Sequence, residues 1–219
     1  MKTTAIITAG GSGKRMGGSK QFLALLGKPM LEWTIDAFKK CDAINEIILV
    51  VASENVEKAK SYGFKVAEGG AERTDSVRNG LALVSPDTDI VLIHDGARPL
   101  VTDKIIRSAI EGTKETGACI VGVQVKDTVK KVDSREWIVE ETLDRDTLWQ
   151  VQTPQAFRYD IIKKAYDNAK GNATDDSKLV EDLGIKVKMV MGSYENIKVT
   201  TSEDLIIAEE ILRKRKLVS

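Results

Sequence analysis

Short apolar runs alternate with stretches of helical periodicity along most of the chain. Residues 5–7 (AII), 47–51 (IILVV), 90–93 (IVLI), 118–123 (ACIVGV) and 187–191 (VKMVM) are continuous apolar or β-branched segments. Such segments suit strands of a parallel sheet, buried on both faces. Between them, Pro29 predicts the first turn of a helix running to about Lys40, with Met30, Trp33 and Ala37 on one face. Val77, Leu81 and Val84 predict another, whose N-terminal hydrogen bonds Thr74, Asp75 and Ser76 can supply. A third starts at Asp103. A fourth starts at about Glu203 behind a Thr201-x-x-Asp204 capping box, with Leu205, Ala208, Ile211 and Leu212 as its apolar stripe. Alternation of this kind predicts an α/β fold with an open, mostly parallel sheet flanked by helices.

The rhythm breaks once. Residues 125–143, VKDTVKKVDSREWIVEETL, read as a long hairpin, 129–132 against 137–139, with a polar turn at 133–136. A two-stranded hairpin is marginal alone in water, so it is expected to pack on something else.

Candidate chemistry begins directly after the first strand. Five glycines (Gly10, Gly11, Gly13, Gly17 and Gly18) are threaded with Lys14, Arg15 and Lys20. Glycine backbones can bring their N–H groups close to a ligand, and the cations beside them favour a polyanion such as a triphosphate. Two familiar phosphate loops are excluded. The Walker pattern would need glycine at Thr8 and Ser or Thr at Arg15, and the dinucleotide fingerprint would need glycine at Met16. Further on, Gly69 and Gly70 precede a helix start, which suits either simple capping or polar ligand groups. Asp95 stands at the carboxyl end of the strand at 90–93, where open parallel sheets bind ligands, and suggests a ribose hydroxyl or Mg²⁺ as partner.

Composition narrows the field. The chain has 219 residues, enough for one domain, and its 33 basic and 33 acidic residues cancel. No field therefore points to nucleic acid or a membrane, and any anion site must be local. Cys41 and Cys119 give no metal-ligand spacing and suit a reducing cytosol, so a cytoplasmic protein is expected. There is no signal peptide or membrane-spanning apolar segment, and His94 is the sole histidine.

The runs ITAGGSGKRMGGSKQFL (7–23) and GKPMLEWTI (27–35) resemble the start of the sugar-phosphate and polyol-phosphate nucleotidyltransferases. The resemblance is strongest to the 2-C-methyl-D-erythritol 4-phosphate cytidylyltransferases of the non-mevalonate isoprenoid pathway. It extends through GG-x-x-R-x-x-S (69–76), HDGARP (94–99), KDT (126–128), LDRDTLWQVQTPQAF (143–157), TDD (174–176) and NIKVT (196–200). It implies a single Rossmann-like nucleotidyltransferase domain over 1–219, with a β-arm at about 126–152 that clasps a second subunit to form a homodimer.

The implied reaction is attack by an acceptor phosphate oxygen on the α-phosphorus of CTP, expelling pyrophosphate, with Mg²⁺ on the phosphates. Such an acceptor has a second pKa of about 6 and needs no general base. By the same resemblance, Arg15, Lys20, Lys198 and, from the neighbouring subunit, Arg145 are catalytic. Ala9, Gly10, Gly11, Gly13, Gly70, Ala71, Ser76 and Asp95 hold CTP, and Arg98, Thr128, Thr153 and Thr174 hold the acceptor. Two departures stand out. Ala71 replaces an Asp of some members, and the loop RMGGSK is shortened and lacks the proline usual before its lysine. Ribitol 5-phosphate is an alternative acceptor, although HDGARPL and LDRDTLW favour methylerythritol phosphate. A non-catalytic nucleotide-sugar binder would have no need of Arg15, Lys20, Arg145 and Lys198 together.

Overall fold

The alternation along the chain builds one main sheet, whose strand order turns back at the first strand. The computed structural model describes residues 1–10, 20–169, 171, 173 and 175–218, with Lys20 and Val218 described for backbone alone. Gly11, Gly13, Arg15 and Thr174 lie outside the described residues.

The strands are β1 (Thr3–Ala9), β2 (Ala24–Leu25), β3 (Lys28–Pro29), β4 (Glu46–Val51), β5 (Lys65–Glu68), β6 (Ile90–Asp95), β7 (Ala118–Gln124), β8 (Lys130–Val132), β9 (Val139–Thr142), β10 (Trp149–Arg158) and β11 (Lys188–Met191). The helices are α1 (Met30–Lys40), α2 (Val56–Lys60), α3 (Arg73–Leu81), α4 (Asp103–Thr116), α5 (Tyr159–Asn168), α6 (Asp176–Glu181) and α7 (Ser202–Val218).

Seven strands form the main sheet in the order β11-β7-β10-β6-β1-β4-β5. All its pairings are parallel except those of β10, which runs antiparallel between β6 and β7. From β1 the chain moves outward to β4 and β5, then returns to place β6 on the other flank of β1. The crevice beyond the carboxyl ends of β1 and β6 is therefore the position where this class of sheet binds ligands.

One face packs α1, α2 and α4 through Ile35, Phe38, Ala59, Ile106 and Ile110 against Ile7, Leu49 and Leu92. The other packs α3, α5 and α6 through Val77, Leu81, Ile162 and Val180 against Ile6, Val50 and Ile93. A third cluster lays Ala208 and Leu212 of α7 on Leu25, Met30, Ala97 and Val199. The Thr201/Asp204 box forms as the spacing predicts. Thr201 N–H donates to the Asp204 carboxylate at 2.9 Å, and Asp204 N–H to Thr201 Oγ1 at 3.3 Å.

Three expectations change. Residues 149–152 belong to the sheet, not to an arm, because Trp149 to Gln152 pair with Gln124 to Val121. The hairpin is confined to β8 and β9, which form a separate two-stranded sheet. Its turn is longer than the polar residues suggest. Asp133 Oδ1 accepts from Arg135 and Glu136 N–H, and Trp137, with φ +58°, closes the turn by donating to Asp133 O. The second strand therefore starts at Val139. Finally, Lys198, whose apolar neighbours Ile197 and Val199 suggest a short strand, lies outside any sheet, tied through Val199 N–H to Ala97 O at 2.8 Å.

A cavity at the crossing of β1 and β6

Glycine brings two loops together at the mouth of the crevice. A Cβ built on Gly10 would lie 3.3 Å from Gly69 Cα, so the loop after β1 and the loop after β5 meet backbone to backbone. Gly70 is tighter still, since a Cβ there would stand 2.2 Å from Asp75 Cβ. That closeness lets the 69–72 loop fold back over the start of α3. Glu72 caps the helix in a reciprocal box with Asp75, whose carboxylate accepts from Glu72 N–H at 3.2 Å. Ser76 Oγ accepts from Gly70 N–H and donates to Glu72 O, each at 3.1 Å.

These loops enclose a cavity of about 390 Å³, lined by Thr8, Gly10, Gln21, Gly70, Ala71, Glu72, Arg73, Ser76, Asp95, Ala97 and Lys198. The predicted residues Gly10, Gly70, Ala71, Ser76, Asp95 and Lys198 thus come together from four separate stretches. Ala9 packs its side chain into the core, leaving only its backbone for a ligand.

Asp95 is the electrostatic centre. Lys198 Nζ lies 2.8 Å from its Oδ2, Arg98 Nε 3.7 Å from the same oxygen, and Arg73 Nε 3.9 Å from Oδ1. Burial alone would raise this carboxyl. The Lys198 ammonium and the Arg73 guanidinium outweigh burial and hold it at about 2. Arg73, which sequence reading passed over, is anchored by a bidentate pair with Asp176 at 2.8 and 2.6 Å, and Tyr166 Oη donates to the same carboxylate at 2.5 Å. The motif at 69–76 carries this arginine, but its partner is 103 residues away, so nothing in the local pattern shows what holds it.

The TPQ segment braces this arrangement. Thr153 is buried, and its hydroxyl accepts from Asp95 N–H at 3.0 Å and bonds His94 Nδ1 at 3.0 Å. His94 Nε2 lies 3.2 Å from Arg98 O, which can only accept, so Nε2 carries the proton and Nδ1 accepts from Thr153. Gln155 Oε1 accepts from Asp176 and Ser177 N–H, both at 3.1 Å, fixing the start of α6. Thr153, expected to hold the acceptor, is therefore committed to the end of β6. Arg98 is likewise turned inward, donating through Nη1 to Asn196 O at 2.8 Å, and does not line the cavity. Thr128 is exposed on the hairpin side, and Arg145 donates to Lys126 O at 2.9 Å; neither lines the cavity of its own chain.

His94 makes a pH prediction. Burial holds its imidazole at about 4, against the pull of the Asp95 carboxylate, while the unfolded value is 6.5. Below 6.5 the unfolded chain takes up a proton that the folded chain refuses. Stability should thus be full above 6.5 and fall as pH drops toward 4. Urea unfolding at pH 5.5 should take up about one proton. A urea midpoint unchanged between pH 6.5 and 5 would show that His94 has no depressed pKa.

Among the described residues no group of three or more His, Cys, Asp or Glu side chains could hold a metal. The carboxylates on the cavity wall are Asp95 and Glu72, and Asp95 is engaged with Lys198. The charges of Arg73, Arg98 and Lys198 are also matched by those of Asp95, Asp176 and Glu72. The described wall of the cavity, with Arg73 and Lys198 against Asp95 and Glu72, therefore carries no net positive charge for a polyanion.

The sequence profile described as 2-C-methyl-D-erythritol 4-phosphate cytidylyltransferase matches residues 3–214. A protein of that name from Alkaliphilus oremlandii is 52% identical, covering 98% of this chain and 97% of its own length. One from Clostridium perfringens is 47% identical, with 97% and 99% covered. The crystal structure of 4-diphosphocytidyl-2C-methyl-D-erythritol synthase from Anaerococcus prevotii superposes with a TM-score of 0.87 at 35% identity, covering 97% of this chain and 96% of that one. The cytidylyltransferase structure from Thermus thermophilus gives 0.84 at 31%, covering 97% and 100%. With the profile matching nearly end to end and the same fold in these relatives, the chain belongs to the 2-C-methyl-D-erythritol 4-phosphate cytidylyltransferase family.

Proposed function

We propose that this enzyme transfers CMP from CTP to 2-C-methyl-D-erythritol 4-phosphate, releasing pyrophosphate and forming 4-diphosphocytidyl-2-C-methyl-D-erythritol. The observation that carries the reading is the Asp95–Lys198 pair on the wall of a crevice cavity, in a chain of this family. The acceptor's phosphate oxygen bonds to the α-phosphorus as the bond to the bridging oxygen of pyrophosphate breaks. The buried neutral His94 lies outside the cavity wall, and the largely dianionic acceptor needs no base.

Protein groups bring anion to anion and stabilise the charge that develops at phosphorus. Gly10, with Gly11 and Gly13, is assigned to the phosphates as a source of backbone donors, and Arg15 and Lys20 are assigned to stabilise charge at the α-phosphate. Gly70, Ala71 and Ser76 take the base, and Lys198, held by Asp95, orients the acceptor. Thr128 and Thr174 complete the acceptor side.

Mg²⁺ is the metal assigned, because it binds through substrate phosphates with few protein ligands; Asp95 and Glu72 are the carboxylates within the cavity. When bound, it neutralises phosphate charge. Free cysteines and the lack of a membrane-crossing helix among the described residues support a cytoplasmic enzyme. The test is to incubate the pure protein with CTP, Mg²⁺ and either methylerythritol phosphate or ribitol 5-phosphate. Pyrophosphate release with the first is expected, and release with ribitol 5-phosphate alone would overturn the assignment.

The β8–β9 hairpin is assigned as the dimer arm, since Val132, Trp137, Ile138 and Val139 are all exposed apolar residues upon it. Arg145, at the base of the arm, is then expected to serve the neighbour's acceptor. A guanidinium can grip a phosphate bidentately where lysine cannot. Mixing Arg145→Ala with Lys20→Ala subunits should restore roughly a quarter of wild-type activity after random exchange, because each mixed dimer keeps one intact site. Confirmed exchange with no recovered activity would place Arg145 in its own chain's site.

A further inference from the structure

Gln21 lies in the short turn Lys20–Phe22 and lines the cavity together with Gly10, Asp95, Ala97 and Lys198. The residue is 4% exposed, and its carboxamide oxygen Oε1 is buried without a hydrogen-bond partner. An unmatched buried acceptor is costly to keep, and folded proteins retain few. Among the described residues the other buried side-chain atoms in this condition are Arg98 Nε and Asn196 Oδ1, and neither residue lines the cavity. The unmatched oxygen at Gln21 therefore belongs to a residue of the cavity wall, where the substrates of the proposed reaction would bind.

Its chemistry narrows the partner. A carbonyl oxygen needs a hydrogen to accept. An ionised triphosphate has none to give, and a phosphate oxygen there would meet the carbonyl lone pairs unfavourably. The amino group of cytosine is a donor, but the base is assigned to Gly70, Ala71 and Ser76 on the α3 wall. Gln21 shares its turn with Phe22, a side chain packed into the cluster on the α1 face of the sheet, whereas α3 packs on the other face. Among the donors on the substrates, hydroxyl groups remain.

We infer that Gln21 Oε1 accepts a hydrogen bond from a substrate hydroxyl, on the ribose of the nucleotide or on the polyol acceptor. Gln21 is thereby a specificity-determining residue of the reaction proposed above, on which this inference rests. A site built to bond a hydroxyl rejects analogues that lack it, because its own polar atom is then left unpaired.

The test pairs a variant with altered substrates. Wild type and Gln21→Met are assayed with CTP and methylerythritol phosphate, then with 2′-deoxy-CTP, 3′-deoxy-CTP and acceptors lacking one hydroxyl. Gln21→Met should lower kcat/KM by about 10- to 100-fold on the full substrates. One analogue should cost the wild type a similar factor and cost the variant little more, and that analogue identifies the hydroxyl as ribose or acceptor. Each analogue comparison is a ratio within one protein, so the folded fraction cancels. Additive losses for every analogue, or a normal rate for Gln21→Met, would overturn the role of Gln21 while leaving the reaction intact. Absence of wild-type turnover on the full substrates would sink the reaction, and this inference with it.

Discussion

Replacing Lys198 with alanine is expected to lower kcat by about 100- to 1000-fold, the loss typical of removing one preorganised donor from a developing oxyanion. Stability should hardly change, for two structural reasons. The Lys198 side chain is 42% exposed, so its ion pair with Asp95 is partly screened by water. The carboxylate is also not left bare, because Arg98 and Arg73 remain 3.7 and 3.9 Å away. Steady-state kinetics with each substrate varied in turn, alongside thermal unfolding, checks both halves. The loss should fall on kcat and the acceptor, with CTP binding nearly intact. A variant that keeps normal turnover would reduce Lys198 to a counter-ion of Asp95.

The largest effect on folding is expected at Asp176. Its side chain is fully buried and receives both arms of the Arg73 guanidinium and the Tyr166 hydroxyl. Asp176→Ala strands that guanidinium and the hydroxyl, and breaking a buried pair from one side typically costs about 3–5 kcal/mol. For a chain of this size each kcal/mol moves Tm by about 2–4 °C, so a fall on the order of 10 °C is expected. Removing both charges together is the informative control. Arg73→Met with Asp176→Leu and Tyr166→Phe should recover much of the lost stability, since apolar replacement of a whole buried cluster is often neutral. The triple variant should nonetheless bind CTP poorly, because Arg73 also stands beside Asp95 on the cavity wall. Equal stability in the single and triple variants would show that the stranded charge is not the cause.

These two residues mark the boundary of what could be read from the chain. The strands β1, β4, β6 and β7 were legible because burial on both faces leaves nearly unbroken apolar runs. The capping of α7 was legible because both its partners lie within four residues. Strand β10 was not. Gln150, Gln152, Thr153 and Gln155 interrupt its apolar pattern, and Pro154 argues against a central strand. The structure accepts them because Gln152, Thr153 and Gln155 each bond a distant partner and the ladder shifts register between Gln152 and Gln155. The motif at 196–200 assigns Lys198 to the site, but its setting differs from what its neighbours suggest. Flanking Ile197 and Val199 suggest a strand, whereas Val199 packs under α7 instead. The roles of Arg73 and Gln21 are not legible for a shared reason: what distinguishes each is tertiary, a partner far along the chain or the lack of any.

Strand β10 carries one further consequence. It leaves the hairpin region at Trp149 and, within seven residues, holds the end of β6 through Thr153 and the start of α6 through Gln155. In the proposed dimer, the segment leading from the arm is therefore the same segment that braces both sides of the cavity. If subunit association shifts the geometry of Thr153 and Gln155 and thereby changes nucleotide affinity, nucleotide must change subunit affinity by the same factor. Subunit pairing and substrate occupancy would then share one coupling free energy, carried by a single strand.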